Sequence, residues 1–166
     1  SRNLAGLAAM ATHLSAAAAH LGSVTLCDPM PVEAVGSDGV SRPLAHGQNL
    51  LVVRANAAAT CRVLLTGHMD TVFAVDHPFQ TSRWIDADTL NGPGTADMKA
   101  GIAVMFAALS AVAASPFAAN LCWEIVINSD EEVSSLGSAA LLSDCAKRAD
   151  VGLTYEPALP DGTLAG

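Results

Sequence analysis

The sequence predicts an α/β domain in which a mixed sheet carries helices on both faces. Three observations lead to that class. Residues 3–21 and 98–113 repeat apolar side chains at the helical period. Residues 49–54, 62–66 and 121–128 are short runs rich in β-branched and aliphatic residues, with strand character. Helices and strands also alternate along the chain, as expected of a sheet covered on both sides.

Each element has its own signal. Leu4, Leu7, Ala8, Ala11, Leu14, Ala18 and Leu21 share one helical face, and Gly22 ends the helix. Residues 24–27 follow as a short strand, broken by Asp28-Pro29-Met30-Pro31. Residues 32–47 read as loop with one short strand. Residues 49–54 and 62–66 are expected to pair as a hairpin or lie as neighbours, joined through 56–60. Residues 71–95 form a long irregular region, a length that usually marks function. Met98, Ile102, Met105, Phe106, Leu109, Val112 and Ala113 outline the second strong helix, closed by Pro116. Residues 121–128 are apolar enough for a strand buried on both faces. A third helix is expected over 138–147, with Leu141 and Leu142 inward. Residues 151–155 form a further strand, and residues 161–166 the start of another.

Composition narrows the partners. The chain has 166 residues, 51% of them hydrophobic, and a net charge of −8. That length suffices for one domain with a real core. An acidic surface excludes nucleic acid, because phosphate binding requires a basic face. No apolar run is expected to reach the roughly 18 residues of a membrane span. Cys27, Cys61, Cys122 and Cys145 are scattered, with no Cys-x-x-Cys pair, so they read as buried free thiols. The expected setting is cytoplasmic, with the periplasm as the alternative. The first residue is serine, so a targeting segment would lie upstream.

The chemistry gathers at strand ends, where open α/β sheets bind ligands. Strand 62–66 runs into Gly67-His68-Met69-Asp70, strand 121–128 into Ser129-Asp130-Glu131-Glu132, and strand 151–155 into Glu156-Pro157. Asp97 stands where the turn Gly92-Pro93-Gly94 enters the second helix. His68 and Asp70 are two apart in extended chain and so face the same side. Asp70 can then orient a metal-bound imidazole at His68. Adjacent Glu131 and Glu132 diverge, leaving one for a metal and one for substrate. One histidine with several carboxylates suits zinc or a similar divalent ion.

Each group alone has a plainer reading. Asp97 could cap a helix, Glu131 and Glu132 could be a solvated first turn, Glu156 a surface turn residue, and His68 a core histidine. Their shared position at one rim favours the site. His13 and His20 read as surface or packing residues, His77 as part of a loop, and Asp86 and Asp88 as turn acids. Lys99 lacks the Gly-Lys-Ser/Thr ending of a phosphate loop.

Four motifs, in order, resemble the M20 metallopeptidase family. They are Gly67-His68-Met69-Asp70-Thr71-Val72, Gly92-Pro93-Gly94-Thr95-Ala96-Asp97-Met98-Lys99-Ala100-Gly101, Asp130-Glu131-Glu132 and Tyr155-Glu156-Pro157. The last leans toward its glutamate carboxypeptidase-like branch. The resemblance implies a zinc-exopeptidase-like catalytic domain holding two Zn²⁺, with Co²⁺ or Mn²⁺ as substitutes. It implies His68 and Glu156 as ligands of one ion, Glu132 as a ligand of the other, and Asp97 as the bridge. It implies Asp70 as the residue orienting His68, Glu131 as general base, and a cis peptide at Asp97–Met98.

Family chains are roughly twice this long. The resemblance therefore implies that residues 1–166 are the N-terminal portion of one catalytic domain. A lid and dimerisation domain, and a returning segment with a last histidine ligand, would lie beyond. The implied reaction is hydrolysis of an amide in an N-acyl amino acid or small peptide by a water activated at two zinc ions. The implied oligomer is a homodimer through the lid. The alternative is a non-catalytic metal-binding or interaction fragment. Exposed apolar surface is expected along the sheet edge near residues 151–166.

Overall fold

The computed structural model describes residues 3–159 and 161–164. Its centre is a five-stranded mixed sheet in the order β1-β4-β8-β5-β9. These strands are β1 (Ser23–Cys27), β4 (Asn49–Arg54), β5 (Cys61–His68), β8 (Leu121–Asn128) and β9 (Val151–Thr154). β1, β4 and β8 pair antiparallel, whereas β8, β5 and β9 pair parallel. Helices α1 (Leu4–Ala18) and α2 (Ala100–Ala113) pack on one face, with Leu50, Val52, Leu65, Trp123, Ile125 and Ile127 beneath them. Helix α3 (Ala139–Ala146) covers part of the other face, where Cys145 meets Leu64 and Val126.

The expected pairing of 49–54 with 62–66 is corrected. β8 lies between β4 and β5. The reason is visible in the joining loop, whose tight turn at Asn56–Ala59 is bonded to the segment entering β8 and does not link β4 directly to β5. Asn56 Nδ2 donates to the carbonyls of Ala119 (2.9 Å) and Leu121 (3.2 Å), and Thr60 N–H donates to Asn120 O (2.9 Å). β8 is also the most apolar run and takes the position shielded on both faces, with Ile125, Val126 and Ile127 fully buried.

Other differences are local. Residues 32–47 contain a hairpin of β2 (Val32–Val35) and β3 (Ser41–Leu44). The region 71–95 includes a small ribbon of β6 (Arg83–Trp84) and β7 (Leu90–Asn91). Leu4 and Ala8 are exposed, so the α1 stripe reduces to Leu7, Ala11, Leu14 and Ala18. In α3 the buried side chain is Cys145, with Leu141 and Leu142 half-buried. Residues 161–164 form a turn and no strand; 165 and 166 lie outside the described residues.

The second helix begins as a π-helical turn, Thr95–Lys99, continuous with α2. Together they make a 19-residue apolar helix, long and apolar enough by composition to cross a membrane, which corrects the expectation that no run would reach that length. Its Met98, Ile102, Met105, Phe106 and Leu109 are buried against the sheet. On the β9 edge, Val151 and Leu153 are each 45% exposed, the apolar edge surface expected there.

Candidate metal centre

Three parallel strands deliver their carboxyl ends to one rim. His68 is the last residue of β5, and the loop after β8 carries Asp130, Glu131 and Glu132. Glu156 follows β9 by two residues. Asp97 arrives from the π-helical turn at the start of the helix, on the same rim.

The Asp97 turn is built by its neighbours. Gly94 takes the left-handed conformation (φ 70°) that a side chain would strain. Thr95 N–H and Oγ1 both bond Gly92 O, at 3.2 and 2.8 Å, and Lys99 Nζ donates to Pro93 O at 2.7 Å. Burial lowers the Lys99 pKa, so this lysine serves the loop from inside. Asp97 and Met98 depart from helical dihedrals, and the peptide between them is cis, as the family resemblance implied. The helix-cap reading of Asp97 does not hold, because its carboxylate makes no cap bond and turns to His68.

Around His68 the distances are short. Nε2 lies 2.8 Å from Asp97 Oδ1 and 3.7 Å from Glu156 Oε2, and Nδ1 lies 3.3 Å from Asp70 Oδ1. Ligand atoms of His68, Asp97 and Glu132 all fall within 4.8 Å of one another. Such a spread leaves room for metal binding among these groups, whose N and O atoms would sit about 2.0–2.2 Å from zinc. Glu156 falls outside this tight triad but remains beside His68. His68, Asp70, Asp97, Glu132 and Glu156 therefore meet at one place, and Glu131 joins them through its backbone N–H to Asp70.

Asp70 does more than face the imidazole. Its Oδ1 and Oδ2 accept the backbone N–H groups of Glu131 and Glu132, each at 3.2 Å. One buried carboxylate thus ties β5 to the loop that follows β8. Glu131 and Glu132 open a three-residue 3₁₀ turn, Glu131–Val133, rather than a helix. Glu131 is exposed and Glu132 half-buried.

Charge crowding sets the protonation pattern. Burial alone would push the His68 pKa down, but hydrogen bonds to Asp70 and Asp97 and the field of Glu156 override it and raise the value to about 9. Asp70 is pushed up by burial yet ends lowered, with the His68 contact acting against desolvation. Glu132 is raised by burial and by the charge of Asp97. Glu156 is raised by burial, with His68 opposing and Asp97 reinforcing the shift. A cluster of acids that repel one another is the electrostatic condition under which a divalent cation is held.

Several contributors have roles that the sequence did not assign to them. Gly101 is one: a Cβ there would lie 2.0 Å from Tyr155 O. Only a bare backbone lets the chain after β9 cross α2 this closely and bring Glu156 to the rim. Asn49, Ser129 and Asp130 are others, all buried polar residues behind the loop. His20 is a surface residue that bonds Ser110 Oγ at 2.8 Å, and Asp86 does close a turn, accepting Asp88 N–H at 2.9 Å. His77 stays in its loop, its ring tilted against Phe73 with centroids 4.9 Å apart.

A mixed sheet with acids and one imidazole converging at the ends of its parallel strands defines a zinc-exopeptidase-like catalytic fold with a candidate metal centre. Residues 64–165 match Peptidase family M20/M25/M40, and the chain belongs to that family. It is 32% identical over 117 residues to carboxypeptidase G2 of Pseudomonas sp. (strain RS-16), a match covering 70% of this chain and 28% of that protein. Human carnosine dipeptidase 1 superposes with a TM-score of 0.69 at 19% identity, over 92% of this chain and 33% of that one. The M20 family metallo-carboxypeptidase Sso-CP2 from Sulfolobus solfataricus gives 0.67 at 17% identity, over 95% and 34%. At these identities the two structures speak for the fold. The chain spans about a third or less of each of these proteins, which are thus longer than the roughly twofold length expected of family chains.

Proposed function

We propose that the protein to which this chain belongs is a metal-dependent hydrolase of an amide or peptide bond in an N-acyl amino acid or small peptide. The observation that carries this reading is the convergence of His68, Asp97 and Glu132 ligand atoms within 4.8 Å, on a chain of the M20/M25/M40 family. His68 and Glu156 would hold one Zn²⁺, Glu132 the other, and Asp97 would bridge them. Co²⁺ or Mn²⁺ would serve in place of zinc. Bound there, such ions lower the pKa of a water and polarise a carbonyl.

The chain's own residues do the rest. Asp70 holds the His68 ring through Nδ1, leaving Nε2 for the ligand side. Through its two backbone bonds it also sets where Glu131 and Glu132 leave the main chain. Glu131 takes a proton from the attacking water and returns it to the leaving amine. The carbonyl carbon gains the water oxygen and loses the amine nitrogen, so atoms and protons balance. We further propose that residues 1–166 are the N-terminal part of the catalytic domain, and that a lid domain elsewhere in the protein completes the substrate site and forms a homodimer.

Metal analysis combined with hydrolysis of N-acyl amino acids and glutamate conjugates tests the reading. Two ions with turnover in the longer protein support it. One weakly held ion and no turnover assign a non-catalytic metal-binding module instead. Glu131→Gln should keep the metal and lower turnover by about 10²–10⁴-fold, the usual share of a general base. Equal activity in that variant removes Glu131 from the role.

A further inference from the structure

His46 and Asp130 form a buried pair behind the Glu131–Glu132 loop. Their side chains are 3% and 1% exposed, and His46 Nδ1 lies 3.7 Å from Asp130 Oδ2. His46 comes from the short connection between β3 and β4, Asp130 from the loop after β8.

The two segments are bound together along their length. Ser129 Oγ donates to Gly47 O at 2.7 Å, and Ser129 N–H donates to Asn49 Oδ1 at 3.1 Å. Asp130 Oδ2 accepts Gly137 N–H at 2.6 Å, and Asp130 O accepts Ser135 N–H at 2.7 Å. Gly137 O accepts Met30 N–H at 2.8 Å. Asp130 therefore closes the 130–137 loop from both its side chain and its carbonyl. His46 fills the space behind it: a Cβ on Gly137 would meet His46 Cδ2 at 3.3 Å and Asp130 Oδ2 at 3.2 Å.

The pair is kept at a cost. His46 Nε2 and Asp130 Oδ1 are buried with no hydrogen-bond partner among the described residues. Buried polar atoms left this way are unfavourable, and an apolar pair of similar size would avoid the penalty. Stability alone gives no reason for a histidine facing an aspartate here. Position does: the residue after Asp130 is Glu131, whose N–H, with that of Glu132, must reach Asp70.

We infer that His46 and Asp130 are positioning residues that fix the 130–137 loop, so that Glu131 and Glu132 present their N–H groups to Asp70 and their carboxylates to the metal centre. The inference rests on the reading of Glu131 and Glu132 as working groups of that centre. Its test separates the two. Amide hydrogen exchange is followed residue by residue on the chelator-treated chain, so one measurement needs no metal. Co²⁺ affinity is measured in parallel by competition.

In His46→Leu, exchange at Glu131 and Glu132 should accelerate at least about tenfold relative to Val126 and Ile127 on β8, and Co²⁺ should bind about tenfold more weakly, as for other residues behind metal ligands. His46→Gln, which keeps a polar group, should recover most of the protection, and it carries the test if the leucine variant does not fold. Unchanged relative protection at 131 and 132, or equal acceleration across β8, overturns the inference. If the wild-type chain takes up no Co²⁺, the metal-centre reading fails, while the exchange comparison still decides whether the pair holds the loop.

Discussion

His68 Nε2 and Asp97 Oδ1 lie 2.8 Å apart, joined by a hydrogen bond. That bond and a divalent ion between the same two atoms exclude each other. Uptake of a metal therefore displaces a proton from a histidine whose pKa stands at about 9. Metal affinity should climb as pH rises from 6.5 toward 9, by up to about tenfold per pH unit while one proton is released. Calorimetry in buffers of different ionisation enthalpy reads the proton directly. An affinity flat across that range would show that His68 is not a ligand.

The same shift has a stability consequence for the chelator-treated chain. His68 titrates above its ordinary 6.5, so its contribution is whole below pH 6.5 and fades as pH rises through about 9. Asp70 is lowered below its ordinary 3.8, so its contribution holds above that pH and is lost on acidification. Urea unfolding should show a stability maximum between these limits. Stability still rising from pH 7 to pH 9.5 would contradict the His68 assignment.

Asp70 accepts two backbone N–H groups and faces an imidazole, so an isosteric amide should fail there. Asn offers one acceptor oxygen and an NH₂ group that faces donors. Asp70→Asn should cost about 1–3 kcal/mol of stability through unsatisfied donors. It should also weaken metal binding by about 10–100-fold. Affinity within twofold of wild type would assign the metal-orienting role elsewhere.

Gly101→Ala sets two effects against each other. Alanine favours a helix over glycine by about 1 kcal/mol. A Cβ 2.0 Å from Tyr155 O must push backbone aside, and overpacking of that kind costs about 1–3 kcal/mol. The clash should win, lowering the melting temperature and moving Glu156 away from His68. A stabilised variant with unchanged metal affinity would mean that the close crossing of Tyr155 over α2 does not place Glu156.

Burial, with Glu124 beside it, pushes the Cys145 thiol up to about 12. A thiol is reactive only as thiolate, so native Cys145 should resist alkylation at pH 8 and label once the chain unfolds in urea. Mass spectrometry of the labelled peptide checks this. Labelling of native Cys145 as fast as that of Cys61 would place α3 differently from its packing on Leu64 and Val126.

The sequence alone determined the main helices and strands and the candidate site residues. Apolar periodicity marks α1 and α2 because a helix or strand buries one face at a time. Short motifs at strand ends, and at a helix entry for Asp97, mark His68, Asp70, Asp97, Glu131, Glu132 and Glu156 because each local backbone geometry needs its own residues. Tertiary structure decided what depends on distant segments. β8 separates β4 from β5 because the loop at Asn56 binds the start of β8, a preference no periodicity encodes. Asp70 clamps the amides of residues 61 and 62 positions further on. Gly101 yields space to Tyr155, and His46 meets Asp130 in the interior. Such relationships join residues far apart in the chain, so only the folded backbone brings them together.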